Sequence, residues 1–217
     1  MRFVGRAVEI ARIEKALHAD RNVVLQGKYG IGRTALVREI ARRNGGWHCV
    51  FVDFGCPGAA ISASILADLE GRSRHAVAQT GTARQIARAV AAYSPPRRVT
   101  RCVVVLDNVA KVTRPKIELL RTLRQSDRLG FVAILERFVT SEAMMRIRVA
   151  LDPAVFVPLD ALDCDASVRF YADAVAKFDL PWSASDVEML ARTTHGYPLE
   201  MVRTVQAARR RVGRARL

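Results

Sequence analysis

The sequence has no apolar run of the roughly 18–20 residues that a membrane-spanning helix needs. Its opening stretch, MRFVGRAVEIARIEKAL, is charged throughout and has no apolar core of the secretory kind. The expectation is a cytoplasmic protein with no membrane partner. Cysteine is sparse. Cys49, Cys56, Cys102 and Cys164 form no C-x-x-C pair, and the four histidines do not gather near them. That pattern argues against a zinc site or a disulfide framework, and it leaves Cys49 and Cys102 as small core residues on strands. There is no internal repeat and no low-complexity segment. With half of its 217 residues hydrophobic, the chain is long enough and apolar enough to bury a core.

Acidic residues are also in short supply. There are 35 lysines and arginines against 21 aspartates and glutamates, a formal net charge of +14. The excess is unevenly spread. Residues 1–159 hold 26 basic and 13 acidic residues, net +13, whereas residues 160–217 hold 9 and 8, with most of the excess in the tail around Arg209, Arg210 and Arg211. A strongly basic body suits a polyanionic partner, with DNA or RNA first and an acidic protein surface second. The basic loop residues Arg72, Arg74, Arg97 and Arg98 and the tail arginines are the candidate phosphate contacts. A solvated charged face is the structural alternative.

Hydrophobic periodicity divides the chain at about Leu159. Before it, apolar runs alternate with helical patterns. Val8, Ile10, Ile13, Ala16 and Leu17 share one face of a first helix. Strands are predicted at Asn22–Gln26, His48–Phe54, Cys102–Asp107, Gly130–Leu135 and Ala154–Val157. Helices are predicted at Thr34–Arg43, Ala59–Glu70, Thr82–Tyr93, Pro115–Arg124 and Thr140–Val149. Gly71–His75 and Ser94–Arg98 read as breaks. Strands without polar alternation, separated by helices, imply a parallel five-stranded α/β sheet covered on both faces. After Leu159 the pattern is helical only, at about Asp165–Phe178, Ser183–Thr193 and Pro198–Arg211. The expected organisation is an α/β domain over 1–159 and a small all-α domain with a basic tail over 160–217.

Two motifs carry chemistry. Gly27-Lys28-Tyr29-Gly30-Ile31-Gly32-Arg33-Thr34 lies between a strand and a helix and matches G-x-x-x-x-G-K-[ST], except that Arg33 replaces the lysine. Its glycines let backbone amides, through Ala35 at the helix start, turn towards phosphates. The helix dipole adds positive potential, and the Thr34 hydroxyl suits Mg²⁺. Arg33 keeps the charge but in a longer, planar group. Lys28 reads as a solvent-facing loop lysine or as one that reaches a neighbouring subunit. Val103-Val104-Val105-Leu106-Asp107 is the second motif. It is an apolar strand ending in an aspartate at the carboxyl end, where ligands of parallel sheets collect, so Asp107 is the second Mg²⁺ group. Asn108 follows it. Asparagine can hydrogen-bond a water but cannot take its proton, so Arg33 and Asn108 together predict slow hydrolysis or binding without turnover.

With these motifs in place the chain resembles the AAA+/STAND P-loop ATPases from about Phe3 to Ala207. Phe3-Val4-Gly5-Arg6 with Glu9 is similar to the box that precedes the phosphate loop in that family, which implies that Val4 and Arg6 lie near the adenine. Val157-Pro158-Leu159 is similar to the passage into the family's lid. His195-Gly196-Tyr197-Pro198-Leu199 resembles its G-x-P motif, which implies that Pro198 touches the base. Ile134-Leu135-Glu136-Arg137 falls at the family's sensor position, which makes Arg137 a candidate γ-phosphate sensor.

The resemblance covers a nucleotide-binding core and lid. Similar bare cores occur among helper ATPases of DNA transposition, and the segment from Ile117 to Val132 is loosely similar to theirs. The resemblance implies ATP and Mg²⁺ as ligands, and self-association with ATP at a subunit interface to which Arg146 or Arg148 contributes. It leaves three readings open. The chain is a DNA-bound switch that helps a transposase in transposition or target selection; or a signalling or defence switch paired with a separate effector; or a pseudo-ATPase used as an interaction module.

Overall fold

The computed structural model describes residues 3–69, 71, 85, 88, 92, 100–125 and 129–215. The expected helix Thr82–Tyr93 lies outside them, apart from the helical residues Gln85, Arg88 and Ala92. So do the candidate nucleic-acid residues Arg72, Arg74, Arg97 and Arg98.

In chain order the described elements are α1 (Ala7–His18), β1 (Asn22–Gly27), α2 (Arg33–Arg43), β2 (Trp47–Asp53), α3 (Gly58–Leu69), β3 (Arg101–Val109), α4 (Arg114–Arg124), β4 (Leu129–Glu136), α5 (Ser141–Ala150), β5 (Ala154–Leu159), α6 (Cys164–Phe178), α7 (Ala184–Thr193) and α8 (Pro198–Ala215). The strands form one five-stranded parallel sheet in the order β2-β3-β4-β1-β5. The chain forms two compact units. One comprises Glu9–Gly27 and Arg33–Pro158. The other comprises Met1–Val8, Lys28–Gly32 and Leu159–Leu217.

The first unit is the α/β body. β3 and β4 are apolar almost without interruption and almost fully buried, as strands covered on both faces must be. Val104, Leu106, Phe131, Ala133 and Leu135 join Ile61 and Ile65 of α3 and Leu120 and Leu123 of α4 in one core. Asn22 is buried at the start of β1. Its side-chain amide donates to the Leu151 carbonyl at 2.7 Å, and its side-chain carbonyl accepts from the Phe131 amide at 2.9 Å. A satisfied buried polar group of this kind fixes register. β1 accordingly pairs with β4 so that Gly27 stands opposite Glu136. Burial pushes the Cys49 thiol up to about 11 and Cys102 up to about 12, which keeps both protonated and unreactive.

The second unit has its own core. Phe170, Tyr171 and Ala174 of α6, Val187 and Ala191 of α7, and Met201 and Val205 of α8 pack together, with Val4 against them. Its helices have well-formed N-caps. Asp163 accepts from the Ala166 amide at 2.6 Å, and Ser183 and Asp186 form a reciprocal capping box on α7.

On α2 the Glu39 carboxylate accepts from Arg42 at 2.7 and 2.9 Å and from Arg43 at 2.8 Å. These bonds hold its carboxyl down at about 2. Because the folded value is depressed, the stability it contributes is present above about pH 4.5 and fades as pH falls towards 2. Glu39→Gln is expected to lower the urea midpoint at pH 7, and its gap from wild type should close across that window. A gap that does not change with pH would refute this account.

Candidate functional site

In the α/β unit the functional side chains stand at the carboxyl ends of the strands. Thr34, in the first turn of α2, donates its hydroxyl to Asp107 at the end of β3, at 3.0 and 3.2 Å from the two carboxylate oxygens. A hydroxyl and a carboxylate in contact form the hard oxygen pair that suits Mg²⁺, which takes few protein ligands and fills its shell with water and phosphate oxygens. Among the described residues no group of three histidine, cysteine or acidic side chains could hold a metal ion unaided. Thr34 and Asp107 together offer two oxygen ligands, a set that would fit a Mg²⁺ whose remaining ligands are water and phosphate oxygens.

Arg33, the residue in the lysine position, points along the sheet. Its guanidinium donates to the Leu135 carbonyl at 2.6 Å and to the Glu136 carboxylate at 3.1 Å, and both side chains are largely buried. Glu136 also lies next to Gln26, whose amide donates to the Glu136 carbonyl at 3.4 Å. A phosphate drawing on the Arg33 charge must compete with this ion pair. Sequence reasoning passed over Glu136 in favour of Arg137, which is exposed just beyond β4. The signal for Glu136 was an acid at the end of a strand beside a phosphate loop whose cation is an arginine.

Between Leu106 and Val109 the pairing of β3 with β4 shifts register. Asp107 and Asn108 stand against the single residue Ile134, which is a β-bulge. Asn108 takes a left-handed conformation, φ +57°, which asparagine tolerates better than most residues. Its side-chain amide donates to Asp53, at the end of β2, at 3.2 Å. Asp53 also accepts from the Gly55 amide at 2.8 Å, and the next residue's amide, Phe54, donates to the Asp107 carbonyl at 2.7 Å. Buried Lys116 donates to the Phe54 carbonyl at 2.6 Å, and burial lowers its pKa. Asp53 was legible by the same rule that found Asp107, an acid at the carboxyl end of a parallel strand, but it was not singled out.

Within the other unit, loop segment Lys28–Gly32 is held by its carbonyls. The Tyr197 hydroxyl donates to the Tyr29 carbonyl. The Leu199 amide donates to the Gly30 carbonyl at 3.2 Å, and Arg6 donates to the carbonyls of Ile31 and Asp160. In a trans peptide the N–H points opposite the C=O, so anchoring these carbonyls on one side turns the following amides to the other. Gly30 has φ +78°, and a Cβ there would lie 2.7 Å from the side chain of Leu199. Gly32 has φ +92° and faces Pro198. Pro198 opens α8 at the position where its fixed φ suits a helix. Arg6 is almost fully buried, Ile31 is buried, and Lys28 and Ala35 are exposed.

The remaining candidates lie elsewhere. Arg146 pairs with Glu142 at 2.6 Å and Arg148 lies over the Phe156 ring. On α8, Arg209 stacks on Phe178 at 4.1 Å, and Arg210 and Arg211 are exposed.

The family model for the AAA ATPase domain matches residues 2–135. The fold is similar to the Walker-type ATPase of Pyrococcus abyssi, at 14% identity with a TM-score of 0.65, covering 92% of this chain and 66% of that one. It is also similar to the Aeropyrum pernix Orc1 protein in complex with DNA, at 15% identity with a TM-score of 0.70, covering 100% and 62%. The Thermotoga maritima RuvB Holliday junction branch migration motor matches at 18% identity with a TM-score of 0.57, covering 94% and 61%. This chain thus spans about two thirds or less of the length of these structures. No curated protein matches it in sequence.

Neutralising Glu136 frees Arg33. Glu136→Gln is expected to tighten binding of a magnesium nucleoside triphosphate by about three- to tenfold, as for a partly buried ion pair worth roughly 1 kcal/mol. Calorimetric titration checks this. An unchanged affinity would mean that Arg33 stays on β4 when phosphate binds.

Proposed function

Since the chain belongs to the AAA ATPase domain family, we propose that it is a STAND-type switch that binds ATP with Mg²⁺, hydrolyses it slowly and self-associates on DNA, as a helper of DNA transposition or target selection. The observation that carries the nucleotide part is the contact of Thr34 with Asp107 at 3.0 Å, which joins the helix after the phosphate loop to the acid at the end of β3. In this reading the amides of Gly27 to Ala35 cradle the phosphates. Thr34 and Asp107 hold the Mg²⁺, which draws charge from the phosphates during the reaction. Val4, Arg6 and Pro198 border the base, and Arg137 reports the γ-phosphate. Slow turnover follows from Arg33, which is already engaged by Glu136, and from an amide rather than a carboxylate at Asn108.

The DNA part rests on charge. A net +14 favours contacts to phosphates, which lack sequence readout and weaken steeply with salt. The similarity to a protein seen in complex with DNA and to a branch migration motor supports the same direction. In an assembly, Arg146 or Arg148 of one copy would reach the nucleotide of the next.

Sedimentation of the purified chain with ATP, with ADP and without nucleotide, each with and without a labelled duplex, tests this reading. The expected result is a large ATP-dependent, DNA-bound species that dissociates as salt rises, and that Asp107→Asn abolishes. A chain that binds ATP but ignores DNA at every salt concentration would redirect the basic charge to an acidic protein partner.

A further inference from the structure

The helical unit contains a cleft that the proposed function leaves unused. It encloses about 440 Å³ between the first two turns of α6 and the last two turns of α7. Cys164, Asp165, Val168 and Arg169 form one wall, and Glu188 and Arg192 form the other. Each helix carries an acid four residues before an arginine, the spacing and order that favour an ion pair along a helix. On other helices such exposed pairs close. Glu142 meets Arg146 at 2.6 Å, Glu200 meets Arg203 at 2.8 Å and Glu118 meets Arg121 at 3.0 Å. In the cleft they stay open. Among the described residues, the side chains of Asp165, Arg169, Glu188 and Arg192 make no ion pair or hydrogen bond, and no carboxylate of the cleft comes within 4.0 Å of either guanidinium. The cleft thus offers two unpaired cations and two unpaired anions.

The same walls continue into the residues that hold the phosphate loop. The Leu162 amide, just before α6, donates to the Gly196 carbonyl at 2.9 Å, just after α7. The Tyr171 hydroxyl of α6 donates to the Thr194 hydroxyl at 3.4 Å. A Cβ at Gly196 would collide with the backbone of Leu162, so these two segments are in direct contact. The next residues, Tyr197 and Leu199, donate to the carbonyls of Tyr29 and Gly30. Whatever holds the start of α6 against the end of α7 therefore also holds the loop carbonyls.

We propose that the cleft binds a small ampholyte of the dipeptide class, with its carboxylate on Arg169 or Arg192 and its ammonium on Asp165 or Glu188, and that this ligand is an effector of nucleotide binding. A guanidinium matches a carboxylate with two parallel bonds, and an ammonium has only donors to offer, so it takes an acid. A trans peptide sets the two Cα atoms of a dipeptide about 3.8 Å apart, so its terminal charges reach separate partners across the cleft. A simple anion, or the phosphates of a nucleic acid, would be set against Asp165 and Glu188 with nothing to offset them. Val168 gives an aliphatic side chain an apolar contact. The effector role rests on the reading of the chain as a nucleotide-binding protein, whereas the binding of the ampholyte does not.

The test uses the whole chain and alanylleucine, together with its N-acetyl form, which lacks the ammonium, and its C-terminal amide, which lacks the carboxylate. Cys164 is exposed on the cleft wall, Cys56 is half-buried elsewhere and Cys102 is buried. Alkylation of Cys164 by iodoacetamide, followed by peptide mass, therefore reads occupancy of the cleft, with Cys56 as the internal reference. Alanylleucine is expected to bind with a Kd at or below about 1 mM by calorimetry and to slow alkylation of Cys164 but not of Cys56. Each blocked form should bind about tenfold more weakly, as should alanylleucine to Arg192→Gln and to Glu188→Gln. Both positions are exposed, and both variants should keep the wild-type Kd for ATP·Mg²⁺ when no dipeptide is present. Saturating alanylleucine should tighten ATP·Mg²⁺ about fivefold or more, and ATP·Mg²⁺ should tighten alanylleucine by the same factor.

No binding of alanylleucine at about 10 mM, or equal binding of the blocked forms, would overturn the site. Protection of Cys164 by inorganic phosphate as effective as that by alanylleucine would overturn it too, because the cleft would then select anions. Dipeptide binding that leaves the Kd for ATP·Mg²⁺ unchanged would remove the effector role. A wild-type chain that takes alanylleucine but not ATP·Mg²⁺ would support the site while refuting the nucleotide reading.

Discussion

A parallel sheet covered on both faces confines its chemistry to the ends of its strands, because polar side chains in the interior would be buried without partners, and ligands collect at the carboxyl ends. In this chain that constraint gathers Thr34, Asp107, Asn108, Asp53, Arg33 and Glu136 along one edge of the α/β unit. The order β2-β3-β4-β1-β5 decides their neighbours. Because β4 lies between β1 and β3, Glu136 stands opposite Gly27 and meets Arg33. Because β2 lies outside β3, Asp53 stands opposite Asp107 and meets Asn108. The two departures from the usual motif, an arginine and an asparagine, each face an acid supplied by the adjacent strand.

Charge is handled locally as well as in bulk. The net charge of +14 on the chain does not make a uniform cationic surface. Glu39 collects Arg42 and Arg43, Glu136 engages Arg33, Glu142 pairs with Arg146, and Glu200 pairs with Arg203. The two exposed pairs, Glu142 with Arg146 and Glu200 with Arg203, are worth little to stability, but all of these contacts lower the number of arginines available to a polyanion. The exposed residues Arg210 and Arg211 at the end of α8 keep more of their charge for a partner than Arg146 does.

The alternation of apolar runs and helical patterns made the sheet and its order of elements readable, since a strand such as VVVLD or FVAIL has no other place to go than a covered parallel sheet. Thr34 and Asp107 were readable for a related reason: their motifs are contiguous in sequence. Asp53 and Glu136 are each visible as an acid at the carboxyl end of a strand, but the partners they meet are set by register between distant segments, which no local pattern reports. The bulge at Asn108 is similarly invisible, because it arises from how β3 fits β4 rather than from any residue that demands it. The resemblance puts Arg6 near the base, and in the structure its guanidinium donates to the carbonyls of Ile31 and Asp160.

The helical unit supplies the other half of the argument, within its own boundaries. A glycine-rich loop is not by itself a phosphate site, because glycine permits many conformations and the entropy of fixing one is unfavourable. Here three successive carbonyls, those of Tyr29, Gly30 and Ile31, are fixed by Tyr197, Leu199 and Arg6. Tyr197 and Leu199 of the second motif and Arg6 of the first therefore have a structural task that does not require base contact. They set the direction of the loop peptides, and with it the direction in which the amides point. On this view Pro198 matters first because it starts α8 at the place where the Leu199 amide can reach Gly30. Any contact of Pro198 with a base would come in addition to that placement.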